Sequence, residues 1–154
     1  MAILLCLLRH GRASGQGADA PLLPEGEAYV AALGRRLARE GCKPVAAYSS
    51  TLKRAHDTAT IVLGELGSST PLVQLRQLAP EAGAADALEA LASRGLPDGS
   101  VLVVSHLPLI AQLARALTGG SVDFLPGTFV EIELDAGQSS GALRRRIGPD
   151  DPDA

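Results

Sequence analysis

The sequence contains few of the residues that mark several large classes of protein. Among its 154 residues there are two cysteines and no tryptophan, and aromatic residues make up 3%. Cys6 and Cys42 lie far apart without a C-x-x-C spacing, which argues against a disulfide scaffold or a zinc site. Because aromatic residues are scarce, surfaces that stack on bases or sugars are scarce too, and any binding is expected to depend on charge.

The sequence also has no excess of positive charge and no long apolar run. Its net charge is -3 at pH 7, whereas a nucleic-acid binder normally carries a strong basic excess. The apolar residues 1–8 are too few to span a bilayer, and they lack the basic region and cleavage site of a signal peptide. We therefore expect a cytoplasmic protein with no nucleic-acid or membrane partner.

What the sequence does contain is enough apolar material for one globular domain. Hydrophobic residues make up 46% of the chain and charged residues 20%. No repeat, linker or shift in composition indicates a second domain. We predict a single domain over residues 1–147 and a flexible tail over residues 148–154, where proline and aspartate recur.

Apolar runs alternate along the chain with amphipathic segments. The continuous run at 2–8 is typical of a strand buried on both faces, and 101–104 is a second clear strand. Helical spacing of apolar residues begins near Pro24 and ends before Gly41. This alternation predicts a three-layer α/β/α domain with a mostly parallel central sheet and an antiparallel edge strand. Further strands are predicted at 44–48, 71–75, 128–134 and 142–147, and further helices at 52–66, 84–93 and 108–117.

Two helix starts can be predicted more closely. Ser50 or Thr51 is expected to be the N-cap of the second helix, and Pro108 the first residue of the fourth. Both helices would then direct free backbone N–H groups toward one place, as in a phosphate site.

Polar residues follow the predicted strands where each strand ends. Parallel sheets place their ligand sites beyond the carboxyl ends of the strands, so we expect these residues to meet at one edge. They are Arg9, His10, Gly11, Lys53, Arg54, Glu81, Ser105 and His106.

Two arginines and two histidines at one edge favour the chemistry of a phosphoryl group. The planar forks of Arg9 and Arg54 can each grip two oxygens, and histidine can accept and release the phosphoryl group covalently. Gly11 is expected to let the backbone approach the ligand closely. In the first turn of a helix, Lys53 and Arg54 are unfavourable unless an anion is held there, although a solvated surface position is the alternative for each.

Three segments resemble the histidine phosphatase superfamily in order and spacing, across nearly the whole chain. They are L-R-H-G at 8–11, Y-S-S-T-L-K-R-A at 48–55 with T-A at 58–59, and V-V-S-H-L-P at 103–108. The chain looks most like the small bacterial phosphohistidine phosphatases of the SixA type, which remove phosphate from a histidine on signalling proteins. The resemblance implies a phosphoglycerate mutase-like fold, no cofactor and no metal.

The resemblance also implies a role for each matched residue. His10 is expected to be the nucleophile, with Arg9 and Arg54 as phosphate clamps. His106 is expected to donate to the phosphoryl oxygens, a role it fits best with both ring nitrogens protonated. Glu81 stands where many relatives place a general acid, although a solvated loop residue is an equal alternative and the small branch often lacks this acid.

Gly11, Arg12 and Ser105 are the candidates for substrate binding. Arg12 departs from the family pattern, because the small branch commonly carries an acid there, and it adds positive charge beside the nucleophile. A second departure is the apolar run at 20–24, which replaces an Arg and a Thr. His56 is expected on a helix surface, and the arginine run 144–146 on a solvated edge strand rather than in a docking patch.

Other functions stay open at this point. A phosphatase or mutase acting on a small phosphate ester is the main alternative to phosphohistidine on a histidine-phosphotransfer protein. A non-catalytic phosphate-binding domain is another. A metalloenzyme is disfavoured because no H-x-x-x-H or H-E-x-x-H spacing occurs, so full activity in chelator is expected. No G-x-S-x-G elbow and no G-x-x-x-x-G-K-[ST] loop is present.

Overall fold

The structure, a computed structural model, describes residues 2–15, 17–135 and 137–151. Strands and helices alternate through most of the chain, as the apolar pattern predicts. The strands are β1 (Ile3–Arg9), β2 (Pro44–Ser49), β3 (Leu72–Gln74), β4 (Gly99–Ser105), β5 (Phe129–Leu134) and β6 (Gly141–Ile147). The helices are α1 (Pro24–Arg39), α2 (Lys53–Glu65), α3 (Ala84–Ser93) and α4 (Leu109–Thr118), with one 3-10 turn at Arg76–Leu78.

The strands form a six-stranded sheet in the order β3-β2-β4-β1-β5-β6. The pairs β2–β3, β2–β4 and β1–β4 are parallel, whereas β1–β5 and β5–β6 are antiparallel. The predicted mostly parallel sheet with an antiparallel edge is therefore confirmed: β5 runs against β1, and the edge strand β6 runs against β5.

The side chains of β1 alternate between two cores, one on each face of the sheet. Leu7 packs in the cluster that contains residues of α3 and α4, and Leu8 packs in the cluster that contains residues of α1 and α2. Both leucines are fully buried, and each contributes about 1.5–3 kcal/mol of hydrophobic stabilisation. The continuous apolar run thus forms the middle layer of an α/β/α sandwich.

Strand register brings the ends of β1, β2 and β4 to one level. Arg9 of β1 pairs with Ser105 of β4, and the N–H of His10 donates to the Ser105 carbonyl at 3.1 Å. On the other side of β4, the N–H of Ser50 donates to the Val104 carbonyl at 3.2 Å. The residues that follow these three strands therefore lie side by side.

The predicted helix starts are wrong by one or two residues. The N-cap of α2 is Leu52 rather than Ser50 or Thr51, because the Ser50 hydroxyl is engaged by a histidine of the neighbouring strand end. Helix α4 begins at Leu109, and Pro108 is its N-cap. The Pro108 carbonyl accepts the N–H of Gln112, as an N-cap carbonyl does.

The last described residues form a turn after β6. The N–H of Gly148 donates to the Asp151 carboxylate at 2.7 Å, and the N–H of Asp151 donates to the Gly148 carbonyl. Residues 152–154 of the predicted tail lie outside the described residues, so the domain boundary at 147 stays a prediction.

None of the helices in the described part of the chain has the length and apolar character needed to cross a membrane.

Candidate active site

A cavity of about 570 Å³ lies at the carboxyl ends of the parallel strands. It contains five of the predicted site residues, whereas Gly11, Glu81 and Ser105 are not among its lining residues. The lining consists of Arg9, His10, Arg12, Ala13, Gly15, Arg54, Pro80, His106, Leu107 and Pro126.

His10 presents its Nε2 atom as a free base. Its Nδ1 lies 2.7 Å from the Gly11 carbonyl and donates to it, so the lone pair is on Nε2. The Nε of Arg54 donates to that Nε2 at 3.4 Å. Burial lowers the pKa of His10; the Gly11 bond opposes this effect and the charges of Arg54 and Arg9 add to it, and together they give a pKa of about 4. At pH 7 His10 is neutral, the state in which an imidazole can attack phosphorus.

Gly11 packs against helix α1 and does not face the cavity. A Cβ on Gly11 would lie 3.1 Å from both the Gly26 carbonyl oxygen and a Val30 methyl. The Gly11 N–H donates to Thr58 Oγ1 at 3.0 Å, and the Thr58 hydroxyl donates to the Arg54 carbonyl at 2.7 Å. The close approach expected for Gly11 is thus to a helix rather than to a ligand. Thr58, in the T-A pair at 58–59, positions this loop.

Arg9 and Arg54 are held at the cavity by backbone carbonyls. Arg9 donates from Nη1 to Phe124 O at 2.8 Å, and Arg54 donates from Nη1 to Gly17 O at 3.0 Å. The Arg9 Nε is buried and has no hydrogen-bond partner among the described residues. Burial lowers the pKa of each guanidinium, although both stay charged at pH 7.

No carboxylate is among the described residues that line the cavity, while three arginines are. Bringing cations together in a partly desolvated site is unfavourable, and a bound anion would offset that cost. Lys53, by contrast, is exposed and pairs with Asp57 at 3.0 Å, which agrees with a solvated surface position for this residue. The cavity therefore suits a compact, multiply charged anion such as a phosphoryl group.

His106 lies beside His10, with the ring centroids 4.8 Å apart. Burial lowers the pKa of His106 to about 3, with His10, Arg54 and Arg9 adding to the effect. The ring is therefore neutral at pH 7, and the expectation of two ring protons is wrong for the protein alone. Its Nδ1 is buried and has no partner within the described chain.

Ser50 fixes which nitrogen of His106 carries the proton. The Ser50 Oγ lies 2.6 Å from His106 Nε2, and it accepts the Leu52 N–H at 3.3 Å. Because the described residues offer the hydroxyl no other acceptor, we infer that it donates to Nε2 and that the ring proton is on Nδ1. A neutral His106 can then donate from Nδ1 to a phosphoryl oxygen.

Replacing Ser50 with alanine is expected to lower kcat/KM for phosphoryl transfer about tenfold, the equivalent of about 1.4 kcal/mol. Without the hydroxyl, the proton of His106 is no longer confined to Nδ1, so the donor is absent part of the time. The ¹⁵N shifts of His106 report this directly, since they distinguish the two tautomers.

Ser49→Ala is the control, because the Ser49 hydroxyl donates to the Ser50 carbonyl and does not contact the histidine. It should keep the His106 shifts of the parent. An unchanged tautomer in Ser50→Ala would contradict the positioning role of Ser50.

The free energy of unfolding is expected to fall as the pH is lowered from 7 to 4. The pKa values of about 4 for His10 and about 3 for His106 lie below the ordinary value of 6.5. In this range the unfolded chain binds more protons than the folded one, so stability rises with pH and is lost as the pH falls below 6.5. Linkage gives about 3 kcal/mol for each histidine, measurable by urea unfolding across the range.

His10→Gln and His106→Gln should each make this pH dependence shallower. His56→Gln is the control variant, because the His56 side chain is half-exposed on α2 beside Asp57 and lies outside the cavity. Equal slopes in all of these proteins would show that the buried histidines are not the cause.

Glu81 and Ser105 do not enter the cavity. Glu81 is exposed just after the lining residue Pro80. The Ser105 hydroxyl is buried and donates to the Leu78 carbonyl at 2.6 Å. Ser105 thereby anchors the segment that carries Pro80. The substrate-binding role of Ser105 and the general-acid role of Glu81 stay predictions, and this geometry does not support them.

The arginine run lies on the edge strand β6, as predicted. Each arginine is paired: Arg144 with Glu133, Arg145 with Glu131 and Glu40, and Arg146 with Asp150 and Asp151. Its charge is thus balanced locally, which argues against an anion-docking patch.

No group of three or more His, Cys, Asp or Glu side chains that could hold a metal is found within residues 2–15, 17–135 and 137–151. Cys6 and Cys42 are both reduced, and burial raises the pKa of each thiol. Both pack in the apolar cluster that contains residues of α1 and α2.

Comparisons with known proteins agree with this geometry. The model of the histidine phosphatase superfamily (branch 1) matches residues 5–80. The protein histidine phosphatase SixA complexed with tungstate is similar at TM-score 0.85 and 24% identity, over 95% of this chain and 97% of that one. No curated protein sequence matches the chain.

Two further solved structures share the fold. YhfR from Bacillus stearothermophilus is similar at TM-score 0.74 and 25% identity, over 92% of this chain and 95% of that one. A phosphoglycerate mutase from Bacillus anthracis is similar at TM-score 0.75 and 20% identity, over 93% and 92%. The predicted phosphoglycerate mutase-like fold is therefore confirmed.

The family match covers the segments that carry Arg9, His10 and Arg54, and the structural matches extend the same fold past His106. The chain belongs to the histidine phosphatase superfamily.

Proposed function

We propose that this protein is a metal-independent phosphatase that transfers the phosphoryl group through His10, and that its substrate is phosphohistidine on a signalling protein. The observation that carries the proposal is the state of His10. Its Nδ1–H is bound to the Gly11 carbonyl, and its unprotonated Nε2 lies in a cavity lined by three arginines. The partner class that we propose is a histidine-phosphotransfer protein.

In the first step the Nε2 lone pair of His10 attacks phosphorus. An N–P bond forms on His10 while the N–P bond of the substrate breaks. When the other ring nitrogen of the substrate carries a proton, the substrate ring leaves as neutral imidazole. Arg9 and Arg54 balance the negative charge of the oxygens during transfer, and His106 donates to one of them from Nδ1.

In the second step water attacks the phosphorus of phospho-His10. The new O–P bond forms as the N–P bond to His10 breaks, and the electron pair returns to Nε2. Inorganic phosphate carries away the protons of the water. His10 is thereby restored, and the hydrolysis has been divided into two displacements.

The position of Glu81 supports phosphohistidine over a phosphate ester. An alkoxide leaving group needs a proton from an acid in the site, whereas a protonated phosphoramidate does not. The cavity lining contains no carboxylate among the described residues, and Glu81 is exposed outside it. The similarity to a protein histidine phosphatase, SixA, supports the same choice.

The test is hydrolysis by the purified protein, in excess chelator, of a phosphohistidine-bearing histidine-phosphotransfer domain and of a panel of sugar phosphates and nucleotides. The proposal predicts phosphate release chiefly from phosphohistidine, with chelator causing no loss. A preference for an ester would refute the substrate choice, and loss of activity on metal removal would refute metal independence. Phosphate binding without turnover would favour a non-catalytic domain. A cytoplasmic location stays a prediction.

Replacing Glu81 with glutamine is expected to change kcat/KM on phosphohistidine less than about twofold, because no protein acid is needed in that reaction. Glu89→Gln is the matched control, since Glu89 is an exposed carboxylate on α3. A loss of tenfold or more confined to Glu81→Gln would mean that this carboxylate reaches the leaving group, and that the site is built for esters.

A further inference from the structure

A second cavity of about 460 Å³ adjoins the first. The two share the lining residues Arg12 and Pro126, so the second cavity lies directly beside the one that contains His10. Its other walls come from the start of α1 and from the loops after α4 and β6. The side chains that define it are Arg12, Glu25, Tyr29, Leu125, Pro126 and Pro149.

The second cavity has apolar walls, and a backbone hydrogen bond to His10 holds one of them in place. Leu125 is 42% exposed, one of four large hydrophobic side chains exposed on the described chain. Leu107, another of the four, lines the first cavity. The ring of Tyr29 lies so close to Gly127 that a Cβ there would be 2.7 Å from it. Because the Gly127 N–H donates to the His10 carbonyl at 3.0 Å, this wall has a fixed position relative to the nucleophile.

Arg12 adds a charge at the junction of the two cavities. It is exposed, and its side chain has no hydrogen bond or ion pair with any residue of the described chain. Glu25 also lines the second cavity and makes no ion pair with Arg12. Because Arg12 has no anionic partner in the described chain, the positive junction is complementary to an acidic group on the substrate.

We propose that the second cavity binds the polypeptide next to the phosphorylated histidine, with an apolar side chain against Leu125 and Tyr29 and an acidic side chain on Arg12. This inference rests on the proposed function and extends it to substrate selection. The leaving group of a sugar phosphate or nucleotide would bring hydroxyl and ring polar groups against leucine and proline, where they would lose hydrogen bonds to water. An apolar side chain loses none.

The test compares two phosphohistidine peptides of equal length, one with Asp and Leu beside the phosphohistidine and one with Ser at both places. We expect kcat/KM to be at least tenfold higher for the Asp/Leu peptide. In Arg12→Glu and Leu125→Asp this preference should fall to threefold or less.

Two control variants should keep the preference. Lys43→Glu reverses an exposed charge just before β2, at the amino end of the strand and therefore away from the cavity. Leu143→Asp changes an exposed leucine on β6. Hydrolysis of both peptides at equal rates by the parent, or a preference that persists in Arg12→Glu and Leu125→Asp, would overturn the subsite alone. Failure to hydrolyse free phosphohistidine and both peptides would overturn the proposed function, and the subsite with it.

Discussion

Replacing His10 with alanine is expected to lower kcat/KM on phosphohistidine by about 10⁴-fold or more. His10 contributes the atom that bonds to phosphorus, so its removal leaves only the binding and charge stabilisation of the arginines. Water would have to attack the substrate directly, without the covalent intermediate. Steady-state kinetics and single-turnover phosphate release measure the loss.

His56→Ala is the matched control, because His56 is the one histidine of the sequence besides His10 and His106, and its half-exposed side chain lies on α2 outside the cavity. It should keep activity within about twofold of the parent, as exposed substitutions away from a site usually do. A His10→Ala protein that folds and still turns over at a tenth of the parent rate would contradict covalent catalysis at this residue.

Replacing Arg54 with methionine is expected to lower kcat/KM by about 10³-fold, since one strong charge-stabilising group is removed from the transferred phosphoryl. The same change should raise the pKa of His10 above about 4, because Arg54 lies beside the ring and disfavours its protonation. The acidic limb of the kcat/KM profile reports the pKa of the free enzyme and should move to higher pH.

Lys53→Met is the control for this experiment, because Lys53 is the preceding cation on α2 and is paired with Asp57. Its rate and pH profile should match those of the parent. If Arg54→Met lost activity with no shift of the acidic limb, Arg54 would not act on His10 through its charge.

The approach of the two histidines could be predicted from the sequence. A fully apolar run fits the centre of a parallel sheet, and neighbouring parallel strands end at the same edge. His10 and His106 each follow such a run, and in the structure their ring centroids are 4.8 Å apart. No side-chain detail was needed, because the strand pattern alone fixes where the ends meet.

The orientation of individual side chains could not be predicted in this way. Ser105 adjoins His106 in sequence, yet its hydroxyl is directed to the Leu78 carbonyl. Ser50 was expected to cap a helix and instead holds His106. Both depend on partners far away in sequence, which a local pattern does not reveal.

The protonation state of His106 also depends on the folded structure, because burial sets the pKa of its ring. The resemblance implies that His106 donates to the phosphoryl oxygens, a role that it fits best with two ring protons. The folded site desolvates the ring beside two guanidinium groups, and this lowers its pKa to about 3. A hydroxyl on Nε2 provides the required donor at Nδ1 without a second charge.

The most direct test of the central claim is to capture the phosphoryl group on the protein. Parent protein mixed with ³²P-labelled phosphohistidine substrate and quenched in alkali within milliseconds should carry label on the Nε2 of His10, located by peptide mapping. The label should appear and decay at rates that account for steady-state turnover. Rapid phosphate release with no labelled His10 at any time would contradict a reaction that passes through this histidine.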